Sequence, residues 1–360
     1  MRISDLRTEW LRVPINPPIA DSTHVLRFMD LIVVEIRAGD HTGCSYMLSF
    51  DYGSALLKGV IDHELKRYVM DRDADDIGGI HAGNLRATEY IGTSGVAMWG
   101  IAAIDVALWD LLARRLSVPA SVLFGRCATA VPVYGSGGWL SYSDNELADE
   151  VGRYLSRGFR AVKIKIGGPD EDRDVYRIRA VRSALGPDRK LMVDANQGLT
   201  LDRALRLARR VEDCRLAWIE EPFPKDDLES YQRLAAVTDI PLAAGEREFG
   251  VEPFRRITDA RALSILQPDL MRVGGVTGWR QVAALAASNL LRIAPHFYRE
   301  HDVHLAAAQP HVVAIESFDW LDGLLHATFE IRDGLALVPD LPGFGANFRG
   351  EAIREFRYQG

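Results

Sequence analysis

The first part of the chain alternates short β-rich runs with turn residues. Strands are predicted at Leu6–Val13, at Asp30–Arg37 and, after a Gly/Asp turn cluster at 39–43, at 44–50. This pattern is typical of a short meander. From about Tyr52 the pattern becomes helical, so we predict an α+β arrangement here.

One segment of this part is apolar on most of its faces. Val96–Arg115 contains no proline, which predicts a long and largely buried helix. Asp105 and Asp110 lie within it. We interpret them as carboxylates paired at the edge of the helix, and a functional role is the less favoured alternative.

The pattern changes at residue 131, where β-rich runs begin to alternate with helical stretches. The runs start at residues 131, 160, 191, 216, 241, 262, 291 and 312. This alternation predicts an α/β fold, a (β/α)7–8 TIM-type barrel. The alternative is a doubly wound open sheet, which we disfavour because no glycine fingerprint follows a first strand.

The change in pattern also predicts the domain organisation. We expect an α+β capping domain at 1–128 and the barrel at 129–322. Residues 323–360 include a Pro/Gly-rich stretch at 338–345 and do not continue the alternation. We therefore expect this C-terminal segment to pack back on the capping domain.

Ionisable side chains stand at the end of seven consecutive predicted barrel strands. In TIM barrels the active site lies at the C-terminal ends of the strands. A single acidic residue there is more often a helix cap, but the repetition favours an active site. The side chains are Lys163, Lys165, Asp194, Glu220, Glu221, Glu246, Asp269, His296 and Glu316.

Three of these carboxylates, Asp194, Glu220 and Glu246, come from adjacent strands. Converging carboxylates repel one another unless a cation neutralises them, and oxygen ligands suit Mg²⁺. The alternative is three separate salt bridges to arginines. Glu221 should point to the opposite side of its strand and is interpreted as structural.

Lys163 and Lys165 are two residues apart on one strand, so both are expected to face the barrel interior. Each should lower the pKa of the other, as should a nearby divalent cation, which would make one lysine a base near neutral pH. In the alternative, both lysines point outward. His296 and Asp269 lie on adjacent strands, close enough for the carboxylate to orient the imidazole.

The motifs that carry these residues resemble those of the enolase superfamily, mandelate racemase subgroup. The resemblance covers essentially the whole chain and rests on motifs in family order. They are KIKIG at 163–167, VDANQ at 193–197, WIEEP at 218–222, Gly245-Glu246, QPD at 267–269, PH at 295–296 and AIES at 314–317.

The resemblance implies a role for each matching residue. Asp194, Glu220 and Glu246 would bind Mg²⁺, and Lys163 would bind a substrate carboxylate. Lys165 and His296, the latter paired with Asp269, would be the two acid/base groups, in an order that the sequence leaves open. Glu316 would hydrogen-bond the enediolate oxygen, and Asn196 would be a nearby polar contact.

The family chemistry begins with removal of a proton α to a carboxylate, a step for which the superfamily uses a Lys or His base with Mg²⁺. Loss of a β-hydroxyl would then give a 2-keto-3-deoxy acid, whereas return of a proton would give an epimer. Asp21 and His24 lie in a predicted polar loop at 16–24 and suit the hydroxyl groups of a sugar acid, and the equally weighted alternative is that the loop is polar because it faces water. We therefore favour an acid-sugar dehydratase over an α-hydroxy-acid racemase or epimerase.

Two further alternatives belong to other classes. A non-catalytic relative would bind a ligand or act structurally on the same scaffold, but every catalytic position is filled. An NAD-dependent oxidoreductase is disfavoured by the missing dinucleotide fingerprint. For partners, we expect a small carboxylate substrate, and the resemblance implies a homo-oligomer, dimer-based, with an octamer as one form.

Composition indicates which partners and which cellular compartment to expect for this chain. The chain has 360 residues, a net charge of −7 and a pI near 5.8, which disfavours nucleic-acid binding. Its cysteines, Cys44, Cys127 and Cys214, are widely spaced and indicate a reducing cytoplasm. We see no signal peptide and no apolar run approaching the roughly 20 residues that span a bilayer, so no membrane partner is expected.

Overall fold

The computed structural model describes residues 1–326 and 330–359. The strands are β1 (Ile3–Ala20), β2 (Val25–Ala38), β3 (His41–Ser49), β4 (Ala130–Gly137), β5 (Ala161–Lys165), β6 (Lys190–Asp194), β7 (Trp218–Glu220), β8 (Leu242–Ala244), β9 (Ile265–Leu266), β10 (Arg292–Ile293), β11 (Ile315–Ser317), β12 (Ile331–Arg332) and β13 (Leu335–Leu337).

Helices follow the capping strands and separate the barrel strands. They are α1 (Ser54–Gly59), α2 (Lys66–Val69), α3 (Ile77–Thr88), α4 (Val96–Arg115), α5 (Ala120–Leu123), α6 (Asp144–Ser156), α7 (Glu171–Leu185), α8 (Leu201–Arg210), α9 (Leu228–Ala235), α10 (Glu252–Ala260), α11 (Gly275–Ser288), α12 (Arg299–Ala306) and α13 (Gly350–Phe356). Shorter helical turns are a π-helical segment at Val60–Leu65 and 3₁₀ turns at Glu89–Ile91 and Glu212–Cys214.

The N-terminal sheet is antiparallel, in the order β1-β2-β3. Ile19 pairs with Leu26 and Ala20 with Val25, so β1 and β2 continue almost to their connection. The polar stretch 16–24, treated as a loop in the sequence, is therefore mostly strand, and only the turn 21–24 is irregular. Its two prolines are accommodated because β1 is an edge strand.

The barrel consists of β4 to β11, all parallel, each next to its successor through β10. β11 pairs with β4, and a bridge between Ile293 and Val312 joins the seventh strand to the eighth. The predicted α/β barrel with an α+β capping domain is thus confirmed. Each predicted strand start lies within a few residues of the observed one because β-branched and apolar runs coincide with the buried strands.

Helix α4 has the bounds that the sequence predicts and lies across the N-terminal sheet, in contact with β2 and β3. By length and composition it could span a bilayer, so the statement that no apolar run approaches that length was wrong for this segment. Most of α4 is buried inside the protein, as in the core helix of a globular domain.

The two aspartates of α4 are both paired and connect the helix to distant segments. Asp105 accepts hydrogen bonds from the Thr277 backbone N–H (3.0 Å) and hydroxyl (2.5 Å), and so caps the N-terminus of α11. Asp110 accepts the backbone N–H groups of Cys44 and Phe344, each at 2.8 Å, and the Arg114 Nε–H at 2.6 Å. The helix therefore joins the N-terminal sheet, the barrel and the C-terminal segment.

The C-terminal segment contacts both parts of the molecule. The β12–β13 hairpin adds antiparallel to the beginning of β4, with Leu335 opposite Pro132. Beyond it, the carbonyl of Gly343 accepts the Ala120 N–H (2.8 Å), and the Tyr358 N–H donates to the Trp10 carbonyl (2.7 Å). The domain boundaries at 128 and 322 stay a prediction.

Candidate active site

The strand order brings the predicted site residues together in sequence around the barrel mouth. Lys165 ends β5, Asp194 ends β6 and Glu220 ends β7. Glu246 follows β8, Asp269 follows β9 and His296 follows β10. Because parallel strands end on one face of the barrel, these side chains form a continuous arc.

The three carboxylates predicted as metal ligands lie in one buried cluster. One oxygen from each of Asp194, Glu220 and Glu246 lies within 4.8 Å of the oxygens from the other two. Burial and the neighbouring negative charges raise the pKa of Glu220 to about 7, against the opposing effect of Lys163. Burial opposes ionisation of Asp194 too, but Lys165 and Lys163 outweigh it and lower its pKa.

This cluster fits a hard divalent cation. Its donors are carboxylate oxygens only, they converge within the span of one ion, and they are shielded from water. Asp194, Glu220 and Glu246 would hold the ion.

The two lysines face the barrel interior, as predicted. Lys165 Nζ lies 2.6 Å from Asp194 Oδ2, and Lys163 Nζ contacts Glu220 and lies 2.7 Å from Glu316 Oε1. Lys163 lowers the pKa of Lys165, as predicted, but the net pKa shift of each lysine is upward. Burial lowers the pKa of each lysine, but the carboxylates around them outweigh burial, so both pKa values are raised.

His296 and Asp269 form the predicted pair. The imidazole Nδ1 lies 2.7 Å from Asp269 Oδ2, and Nε2 lies 3.5 Å from Glu246 Oε2. Burial disfavours the charged ring, but the charge of Glu246 and the hydrogen bond to Asp269 outweigh it and raise the pKa of His296 to about 9. The pairing leaves Nε2 as the ring nitrogen available for proton transfer.

A cavity of about 240 Å³ lies over this arc, between the barrel and the capping sheet. The predicted residues that line it are Asp21, His24, Lys165, Asn196, Glu246, Asp269 and His296. The cavity is therefore built by both the strand ends and the capping turns.

Lys163 and Glu316 lie outside this lining. Both side chains are 1% exposed and form an ion pair with each other. Glu316 Oε2 accepts the Phe297 N–H at 3.0 Å. Burial opposes ionisation of Glu316, but Lys163 and His296 lower its pKa to about 2. Their predicted roles in substrate and enediolate binding stay predictions.

The capping turn 21–24 is attached to the barrel by Ser22. The Ser22 hydroxyl donates to the Ala195 carbonyl at 2.6 Å, one residue after Asp194. Within the turn, Asp21 accepts the backbone N–H groups of Thr23 and His24, both at 2.7 Å. Burial raises the pKa of Asp21, but the hydrogen bond to His24 and the charge of Lys165 outweigh it and lower the pKa.

Several lining residues escaped the sequence analysis. Arg247 Nε lies 3.0 Å from Glu221 Oε2. Glu221, which we interpreted as structural, therefore holds a residue of the cavity wall in place. Arg272 donates to the Glu246 carbonyl at 2.8 Å. Its position three residues after Asp269, directly before the sequence Val-Gly-Gly, was the available signal. Leu26, Trp99, Phe297, Tyr298, Phe318 and Trp320 also line the cavity and gave no local signal.

Aromatic rings form one wall of the cavity. Trp320 stacks on Phe318 (centroids 4.5 Å apart) and on Trp139 (5.6 Å). The Lys165 ammonium lies 5.3 Å from the centroid of Trp139, which keeps its long side chain against a flat surface. Trp139 lies two residues after the end of β4, the first barrel strand.

Comparisons with known proteins agree with this architecture. The family described as "Mandelate racemase / muconate lactonizing enzyme, N-terminal domain" matches residues 5–125, and "Enolase C-terminal domain-like" matches residues 146–352. A solved racemase from Streptomyces coelicolor with bound magnesium superposes with a TM-score of 0.95, at 34% identity, over 99% of this chain and 100% of that one.

Curated relatives are enzymes that act on sugar acids. The 3,6-anhydro-α-L-galactonate cycloisomerase of Streptomyces coelicolor is 35% identical over 95% of this chain and 96% of its own length. The L-talarate/galactarate dehydratase of Salmonella typhimurium is 34% identical over 97% and 90%. One family match falls on the capping domain, and the other covers most of the barrel. The chain therefore belongs to the enolase superfamily, in its mandelate racemase subgroup.

Proposed function

We propose that this protein is a Mg²⁺-dependent acid-sugar dehydratase, a hydro-lyase that forms a 2-keto-3-deoxy acid. The observation that carries the proposal is the placement of two proton-transfer groups at the two ends of the carboxylate cluster. Lys165 contacts the cluster at Asp194, and His296 approaches it at Glu246. Both line the same cavity, so one bound substrate would contact both.

The cation is the first element of the proposal. Magnesium is bound in a solved relative with 34% identity, and the three buried carboxylates here provide a matching oxygen site. When bound, the ion supplies positive charge where the substrate carboxylate gains negative charge. It also offsets the charge of Asp194, which in the structure raises the pKa of Lys165.

The residues of the chain carry the proton transfers. One of Lys165 Nζ and His296 Nε2 takes the α-proton, and the C–H electron pair moves into the C1–C2 bond to give the enediolate. The second group donates a proton to the C3 hydroxyl, the C3–O bond breaks, and water leaves. The resulting enol tautomerises, gaining a proton at C3 and losing the proton of its C2 hydroxyl, to become the 2-keto-3-deoxy acid. Asp269 holds the imidazole during these steps through its 2.7 Å contact.

The cavity lining supports a sugar acid as substrate. Asp21, His24, Tyr52 and Asn196 place polar groups around the space next to Lys165. A relative with the same overall fold is a dehydratase of talarate and galactarate. The identity and stereochemistry of the acid used by this chain depend on those polar contacts.

Isomerisation is the second candidate, and one observation favours it. Leu26, Leu48, Phe50 and Trp320 bring apolar surface to the cavity, which a purely polyhydroxylated chain does not require. A relative at 35% identity is a cycloisomerase. A racemase or epimerase would use the same Lys165 and His296 pair to remove a proton and return one.

The experiment is a screen of the purified protein with Mg²⁺ against mono- and diacid sugars, with semicarbazide detection of 2-keto-3-deoxy products. We expect a product that requires Mg²⁺ and disappears with EDTA. Exchange of the α-proton in D₂O without such a product would favour the isomerase. Absence of both product and exchange across the panel would contradict the proposal.

The cellular compartment and the oligomeric state of the enzyme are part of the same proposal. All three cysteines are free thiols, and Cys44 and Cys214 are buried. This fits the predicted reducing cytoplasm. The homo-oligomeric state stays a prediction, which light scattering on the purified protein would test.

A further inference from the structure

Glu220 differs from the other two carboxylates of the cluster in what holds it. Its Oε2 accepts hydrogen bonds from the indole Nε1–H of Trp218 at 2.9 Å and from the side-chain amide of Gln267 at 2.6 Å. Its Oε1 contacts Lys163. Both oxygens of this fully buried side chain are therefore fixed by donors.

The fold explains how the two neutral donors reach one oxygen. Trp218 lies two residues before Glu220 on β7, so both side chains point to the same, inward side of the barrel. Gln267 directly follows β9, two strands away in the barrel. Trp218 and Gln267 are each almost completely buried, so water does not compete for these bonds.

The neighbouring carboxylates are held differently. Side-chain contacts to Asp194 come from Lys165 and Lys163, and those to Glu246 come from Arg247 and His296. Among the described residues, Glu220 is the member of the cluster that receives two uncharged side-chain donors on one oxygen. Uncharged donors orient a carboxylate oxygen without neutralising its charge, and the charged contact of Glu220, with Lys163, is made by the other oxygen.

The amide of Gln267 shows that this contact is retained at a cost. Its Oε1 is buried and has no hydrogen-bond partner in the described part of the chain. A buried acceptor without a donor is unfavourable. Turning the amide would place its oxygen against Glu220 Oε2, so the orientation is set by the glutamate.

We propose that Trp218 and Gln267 are positioning residues that hold the Glu220 carboxylate in the orientation needed to bind the divalent cation. This inference rests on the cation site of the proposed function. Partners of this kind hold metal ligands in other proteins, where their loss typically weakens metal binding roughly 10–100-fold.

The test is a calorimetric titration of the metal-free protein with Mg²⁺ alone. Trp218→Phe removes the N–H and keeps most of the ring, and Gln267→Met removes the amide at similar length. We expect each variant to bind Mg²⁺ about 10–100-fold more weakly than the wild type. Because both donors act on one oxygen, the double variant should lose less than the product of the two single effects.

A matched variant separates positioning from general packing. Trp279 is a fully buried indole on α11 whose Nε1 has no acceptor among the described residues. Trp279→Phe should lower the thermal unfolding midpoint and leave the Mg²⁺ affinity unchanged. Trp218→Phe and Gln267→Met should lower the affinity in protein whose near-UV circular dichroism matches that of the wild type.

Each outcome of the titration has a defined meaning. If the wild type binds Mg²⁺ and both variants bind it equally well, the positioning role is overturned and the proposed function stands. A loss that Trp279→Phe reproduces would also overturn it, because packing alone would then suffice. If the wild type does not bind Mg²⁺, the cation site of the proposed function fails together with this inference.

Discussion

The Nδ1 atom of His296 lies 2.7 Å from Oδ2 of Asp269, and the other oxygen of that carboxylate is held by the backbone. Asp269 Oδ1 accepts the N–H groups of Met271 (2.9 Å) and Arg272 (3.0 Å). The backbone thus fixes the orientation of the carboxylate. The carboxylate in turn orients the imidazole, so that Nε2 faces the cavity.

Replacing this carboxylate should impair proton transfer specifically. Asp269→Asn removes the charge that favours the imidazolium, and general acid–base assistance is worth roughly 10²–10⁴ in rate. We expect kcat to fall within that range, while Mg²⁺ affinity changes little. Steady-state kinetics on the substrate found in the screen would measure it, and an unchanged kcat would remove Asp269 from the mechanism.

The two acid/base candidates can be assigned by separating exchange from elimination. Lys165→Ala and His296→Asn should each abolish turnover, because each removes one proton-transfer group from the cavity. The variant that lacks the base should also lose α-proton exchange in D₂O, whereas the variant that lacks the acid should retain it. NMR of the substrate follows exchange, and a wild-type rate in either variant would contradict the assignment.

The attachment of the capping turn predicts an effect on substrate binding. Ser22→Ala removes the 2.6 Å hydrogen bond to the Ala195 carbonyl, and a typical bond contributes about 1 kcal/mol. We expect KM to rise about fivefold, with a smaller change in kcat. An effect on kcat alone would indicate that the turn does not contribute to binding.

A second variant approaches the same contact from the barrel side. A Cβ added at Gly198 would lie 2.6 Å from the Cβ of Ser22, which is closer than real side chains pack. Gly198→Ala should therefore displace the turn and raise KM at least as much as Ser22→Ala. An unchanged KM in this variant would show that substrate binding tolerates displacement of the turn.

Asp110 should be important for stability and not for catalysis. Asp110→Ala leaves two buried N–H groups without acceptors and removes the partner of Arg114. We expect the free energy of unfolding to fall by about 3 kcal/mol, measured by chemical denaturation. The control is Asp213→Ala, which breaks an exposed pair with Arg179 and should leave stability nearly unchanged.

The burial of His304 predicts that the protein loses stability in mild acid. Its Nδ1 accepts the Ser121 N–H at 3.3 Å, so the neutral ring carries its proton on Nε2, 3.2 Å from the Phe344 carbonyl. Burial, together with nearby His301, lowers the pKa of His304 from 6.5 to about 3. The unfolded chain therefore takes up a proton at this histidine that the folded protein excludes, and stability falls as the pH drops from 6.5 towards 3.

The size of this effect follows from the pKa difference. Between pH 7 and pH 5 the contribution of His304 should fall by about 2 kcal/mol. His304→Gln should remove this part of the pH dependence, seen as the difference between variant and wild type in urea unfolding at the two pH values. A difference that does not vary with pH would show that His304 is not held neutral.

The barrel was predictable because its strands are nearly continuous apolar runs that end in charged residues. Asp194, Glu220 and Glu246 follow such runs, and strand order alone brings them together. Helix α4 was predictable to its ends because it is apolar on most of its faces and contains no proline. These features depend on local sequence and on one rule about where parallel strands end.

Other features depend on contacts between distant segments and could not be predicted locally. The raised pKa of Lys165 results from a 2.6 Å contact with Asp194 that outweighs burial. Trp99 and Trp320 reach the cavity only because α4 and the end of the barrel meet there. Residues 16–20 belong to β1 but were predicted as part of a loop, because prolines in an edge strand resemble loop residues.

The hydrogen bond between Ser22 and the Ala195 carbonyl has a consequence for chimeric enzymes. The proposed acid/base groups, Lys165 and His296, belong to the barrel, whereas Asp21, His24 and Phe50 come from two short stretches of the capping sheet. Grafting those stretches from a relative would transplant substrate preference onto an unchanged reaction centre. Ser22 lies where the grafted stretch would contact the barrel. A donor sequence without a hydroxyl at this position would need another contact to hold the turn against the barrel.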